Sequence, residues 1–133
     1  MGLRAWVMRV FAPLWAIERF IDVALSWIIL SLGGVEFNPI AALLIAYLGV
    51  TLGLTVFLLV SVAVGLVAAL AVVSLLSCRR CLTRIDHVIL GVVGGAEAYG
   101  RALLIAALLG GGAPIIINMI SLMLILIHYR IVW

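Results

Sequence analysis

Residues 40–77 form one long apolar run without a single charged side chain. A helix that crosses a bilayer takes about 20 apolar residues, so the run is too long for one crossing and too short for two joined by an ordinary loop. Breakers divide it. Pro39 suits the first turn of a helix, where its missing N–H is no loss, and Gly49, Thr51 and Gly53 weaken the early part of the run. The pattern predicts a half-helix over 39–48, followed by a full crossing over 52–77. An apolar segment of about ten residues is re-entrant or interfacial in character. Its junction must be covered by protein or water, because unpaired backbone groups are not tolerated against lipid.

The rest of the chain is of the same kind. It is 68% hydrophobic and only 10% charged, with a mean hydropathy of +1.48, against a charged fraction of about a quarter in soluble domains. These values define an all-α integral membrane protein of at most four crossings, a single transmembrane domain over 1–133 with the bilayer as its main solvent. All the basic residues are arginine, and no basic tail offers itself to nucleic acid. The start, MGLRAWVMRV, has no compact apolar stretch ending in a small-residue cleavage site, so it is read as retained.

Pro13 opens the first predicted crossing, 13–33. Ahead of it, Leu3, Trp6, Val7, Val10 and Phe11 share one side while Arg4 and Arg9 can reach headgroups, which predicts an interfacial arm over 1–12. Thr83 caps a third crossing over 84–109, GGGAP closes it, and Pro114 opens a fourth over 114–133. With the half-helix not crossing, Arg4, Arg9, Arg19, Arg79, Arg80, Arg84 and Arg130 fall on one side. The positive-inside rule then makes both termini cytoplasmic in a multi-pass protein of the cell membrane.

Three places carry the polar chemistry. Glu36, Asn38 and Pro39 sit at the turn after the first crossing: Asn38 is a favoured N-cap, and Glu36 suits the positive end of the helix dipole. In the third helix Glu97 is expected near the bilayer centre with Arg101 at i+4. There the pair either locks helices together or supplies a carboxyl for a proton, cation or polar substrate. Helix one presents Glu18, Asp22 and Ser26 at i, i+4 and i+8, and helix four presents Asn118, Ser121 and His128 within one sector. Small residues around Glu97 permit close helix approach. Cys78 and Cys81 form one CxxC with only His87 near in sequence, too few ligands for zinc, and no metal, cofactor or catalytic residue is assigned.

An Asp in FIDVALSWIILSLGG, then VEFNP, then a long apolar helix, a basic turn and a His-containing last helix together resemble a family of small uncharacterised archaeal and bacterial membrane proteins. That family is marked by a Glu-x-Asn-Pro turn after the first helix. The likeness covers residues 18–77 and implies that Asp22, Glu36, Asn38 and Pro39 are signature positions. Glu97 and Arg101 fall outside it. The function expected is non-enzymatic, as a subunit or scaffold of a larger membrane assembly or as a homo-oligomer. A small proton- or cation-coupled transporter or channel using Glu97 is the first alternative, and an intramembrane enzyme using Asp22, Glu36 or His128 the second.

Overall fold

The computed structural model describes residues 1–77 and 94–132, with side chains as far as His128. The CxxC of Cys78 and Cys81, the arginines Arg79, Arg80 and Arg84, the Thr83 cap, His87 and the first part of the predicted third helix lie outside the described residues. So does the side chain of Arg130. Every described element is helical: α1 (Leu3–Trp6), a π-helical turn (Val7–Phe11), α2 (Ala12–Ser31), α3 (Pro39–Leu48), α4 (Val50–Ser77), α5 (Ala96–Gly111) and α6 (Ala113–Val132). Two compact units form, one from Met1–Trp15 with Ala63–Gly110 and the other from Ala16–Val62 with Gly111–Trp133.

Two helical stretches are long and apolar enough to cross a membrane, Val50–Ser77 and Ala96–His128, with mean hydropathies of 3.0 and 2.1. The first predicted crossing is not among them, because Glu18, Arg19 and Asp22 stand together in α2. The predicted four-residue break between helices three and four shrinks to Gly112, the one non-helical residue between α5 and α6. The glycines at 110–112 are poor helix formers and read as a break, yet glycine leaves the backbone free to continue a helix.

In the first unit the N-terminal residues depart from the interfacial arm expected of them. Leu3, Val7 and Phe11 repeat every four residues and are buried, Val7 at 0% and Phe11 at 2% exposure, against Ala69 and Leu76 of α4 and Leu104 of α5. Phe11 also stacks on Trp15, with ring centroids 5.9 Å apart. The apolar face that suggested a lipid anchor is a core face. Nor does Pro13 start a helix: it sits one residue inside α2, directly after the π turn. At that turn the Ala12 N–H bonds the carbonyl of Val7, five residues back. The wider turn fits the fact that a proline ring clashes with the carbonyl four residues before it. The segment runs antiparallel to α4, since Leu3 meets Leu76 beside Gly100 while Trp15 covers Gly65.

The second unit realises the half-helix with the predicted bounds. Asn38 Oδ1 accepts from the N–H groups of Ile40 and Ala41 at 3.0 and 3.3 Å, and Pro39 occupies the first turn. Gly49 ends α3 with φ +79°, a conformation that favours glycine, and the chain turns directly into α4. At Gly53 the backbones of α3 and α4 touch: an added Cβ would stand 2.7 Å from the Ile45 nitrogen. Gly33 and Gly34 end α2 with the paired bonds of a Schellman motif, Gly34 N–H to Ile29 O at 2.9 Å and Gly33 N–H to Leu30 O at 3.1 Å.

Within this unit α2 and α6 are parallel. Arg19 meets Gly111, Asp22 and Ser26 meet Asn118, and Leu32 to Gly34 meet Leu124, Ile125 and His128. Partner numbers rise together along both helices, whereas in an antiparallel pair one falls as the other rises. An up-and-down chain of four crossings requires its first and last helices to be antiparallel, so this pairing corrects the predicted order.

Candidate functional site

The α2–α6 seam of the second unit gathers the buried polar side chains. Asn118 Nδ2 donates to Asp22 Oδ1 at 2.9 Å and to Ser26 Oγ at 3.2 Å. Asp22 is 4% exposed and Asn118 6%. The i, i+4 spacing of Asp22 and Ser26 puts both on one face of α2, which is why one amide reaches the two. Unpaired, a carboxylate at this depth would carry a heavy desolvation cost, and the Asn118 amide and a nearby cation reduce it.

That cation is Arg19, which the sequence reading counted only as a charge for topology. It is buried, with Nη1 3.7 Å from Asp22 Oδ2 and Nη2 3.4 Å from Glu18 Oε1. Its guanidinium also donates to the carbonyl of Gly111. Gly111 closes α5, and the last carbonyls of a helix lack intrahelical donors, so Arg19 satisfies a group that the Gly112 break leaves over. The sequence signal was the i, i+3 spacing of Arg19 and Asp22 inside an apolar helix, where an isolated cation demands partners.

Glu36 reaches the same place by a folded-back strand of loop. After the Schellman turn the chain is extended through Asn38. Those four residues, Val35 to Asn38, span about 13 Å at the extended rise, and α2 climbs about 13 Å from Asp22 to Ser31. The loop therefore returns to the level of Asp22 instead of staying at the end of the helix, where the sequence reading put it. There Glu36 Oε1 accepts from the Asn38 N–H at 2.8 Å. Asp22, Glu36, Asn38 and Pro39 line one cavity of about 200 Å³ with Pro114, Ile117 and Asn118.

His128, Ser121, Glu97 and Arg101 do not join them. His128 lies beside Leu32, Gly33 and Gly34 at the far end of α2, because the helices are parallel. Ser121 Oγ donates to the Ile117 carbonyl of its own helix at 2.9 Å. Glu97 belongs to the other unit. Gly94 and Gly95 have φ of +88° and +109°, α5 begins at Ala96, and Glu97 falls in the first turn instead of mid-helix. Its side chain is 61% exposed, and it pairs with Arg101 at 3.4 Å. Arg101 also donates to the Met1 carbonyl at 2.5 Å. An exposed acid in a first turn is a helix-dipole partner, and the buried central ion pair expected there is absent.

Among the described residues no group of three or more His, Cys, Asp or Glu is placed to hold a metal ion. The cavity instead offers two carboxylates and two amides. No protein-family model, curated protein or solved structure matches the chain, so the site is read from its own geometry.

Proposed function

We propose that the chain is an integral membrane protein that works without enzymatic chemistry, as a subunit of a larger membrane assembly or as a homo-oligomer. The supporting observation is the apolar surface. In the most apolar windows of Val50–Ser77 and Ala96–His128, only 17% and 11% of the residues are buried within the chain. Leu59, Val64 and Val67 on α4, and Met123 and Leu124 on α6, are all more than half exposed. Faces of that size belong against lipid or another subunit.

The candidate crossings are Val50–Ser77 and Ala96–His128, with α3 as a non-crossing half-helix. Arg4, Arg9 and Arg101 stand at the N-terminal end of the first unit, and the positive-inside rule makes that end cytoplasmic. Transport through Glu97 loses its premise, because that carboxyl is exposed in a first turn. The enzyme reading drew on Asp22, Glu36 or His128, and of these His128 stands apart from the other two.

Purification in mild detergent, with size-exclusion light scattering and identification of co-purifying chains, tests this reading. A stoichiometric membrane partner or a defined homo-oligomer is the expected result. A monodisperse monomer with no partner, in detergents that preserve known membrane complexes, would overturn it.

A further inference from the structure

We propose that the groove between the N-terminal segment, α4 and α5 seats one acidic glycerophospholipid, its phosphate on Arg4 and its acyl chains over Met8, Leu70 and Val73. The inference rests on the chain being a membrane protein and not on the assembly proposed above.

Polarity along the groove is the first reason. The groove holds about 940 Å³ and lies wholly within the first unit, a volume at the upper end of the range for ligand sites. Arg4, Ser77 and Glu97 line one end of it, and Met8, Leu70 and Val73 continue it along the helices. The N-terminal segment runs antiparallel to α4, with Leu3 beside Leu76, so Arg4 stands near the level of Ser77 and Met8 lies one turn deeper. From Ser77 to Leu70 the groove descends about 10 Å at the helical rise. A headgroup layer is about 5–8 Å deep, so a groove that starts at the end of α4 passes from headgroups into acyl chains. The ligand that matches it is charged at one end and apolar at the other.

Charge complementarity is the second, and it selects the headgroup. Glu97 is already paired with Arg101 at 3.4 Å. Ser74 and Ser77 commit their hydroxyl protons to the Leu70 and Val73 carbonyls of their own helix. Arg4 is exposed on the groove wall and has no ion-pair partner among the described residues. Its guanidinium is therefore the donor left for a phosphate, which it can grip with two parallel N–H bonds. Arg4, Arg9 and Arg101 outnumber Glu97 among the described residues of this unit. A headgroup of net negative charge neutralises that excess, and a zwitterionic one does not. The oxygens of Glu97 and the two serines remain acceptors, which suits a hydroxyl-bearing headgroup such as glycerol.

The test is native mass spectrometry of the full chain in mild detergent, offered equal amounts of phosphatidylglycerol and phosphatidylcholine. One phosphatidylglycerol should be retained per chain, with a preference of about fivefold, the worth of one basic residue at an anionic surface. Arg4→Gln should lose that preference. Arg9→Gln removes the same charge outside the groove wall and should keep it. Ala5→Trp leaves every charge in place but fills the groove, and should weaken retention of phosphatidylglycerol. All three positions are exposed, so thermal midpoints should match the wild type. Equal retention of the two lipids, the same loss in Arg4→Gln and Arg9→Gln, or undiminished retention in Ala5→Trp would overturn the site. If Ala5→Trp does not fold, the contrast between Arg4→Gln and Arg9→Gln decides. Release of the wild-type chain from membranes by alkaline carbonate would overturn the membrane reading and the site together, whereas equal lipid retention by a membrane-held chain removes the site alone.

Discussion

Asn118 of α6 holds Asp22 of α2 at 2.9 Å, with both side chains shut away from solvent and Ser26 sharing the same amide. One amide thus joins two helices that are more than 90 residues apart in the chain, at the level where Arg19 and the folded-back loop also arrive. Removing it should matter more than removing a surface bond. Asn118→Ala would leave the Asp22 oxygen without its donor, at a cost of about 1–3 kcal/mol for a buried unsatisfied group. Urea unfolding in detergent measures this, and a loss below about 0.5 kcal/mol would show that the amide is dispensable.

The parallel run of α2 and α6 makes a cross-linking prediction. In a Cys78→Ser, Cys81→Ser background, Leu32→Cys with Leu124→Cys should be joined by a short bifunctional reagent, since both line one pocket. Leu32→Cys with Pro114→Cys should not be. The reverse yields would restore the antiparallel order read from sequence.

Gly65 lies directly under the Trp15 indole, where an added Cβ meets the ring. Gly65→Ala should therefore destabilise the first unit by about 1–3 kcal/mol, the usual cost of overpacking, even though alanine is the better helix former. Trp15→Phe in the same chain should recover most of the loss. A Gly65→Ala chain as stable as wild type, by thermal unfolding, would remove the contact.

Asn38 closes the start of α3 with two bonds. Asn38→Ala should cost about 1 kcal/mol, and Asn38→Ser, which keeps an acceptor at the cap, markedly less. Amide exchange at Ile40 and Ala41 gives the local reading, with faster exchange in the alanine variant alone.

Glu97 and Arg101 form a partly solvated pair at 3.4 Å. Glu97→Gln should change stability by less than about 1 kcal/mol, the range of exposed ion pairs. A pair buried at the bilayer centre would instead lose about 3–5 kcal/mol when one partner is removed, so one unfolding curve separates the two placements.

The sequence by itself determined what local chemistry determines. The half-helix Pro39–Leu48, its Asn38 cap, the stop at Gly49 and the stop of α2 at the Gly33–Gly34 pair each follow from residues adjacent to the feature. A missing N–H, a capping oxygen or a positive φ acts within one turn. Tertiary structure alone decided the rest. The face of Leu3, Val7 and Phe11 is equally suited to lipid and to a core, and only packing against α4 and α5 chose the core. The stripes of α2 and α6 were visible, but their mutual direction depends on which ends meet, and periodicity is blind to that. Glu36 joined Asp22 because an extended loop happens to match the climb of α2, a coincidence of two lengths in space. Glu97 moved from the middle of a helix to its first turn because Gly94 and Gly95 break the chain just ahead of it. Apolar periodicity can run straight through such a break without recording it.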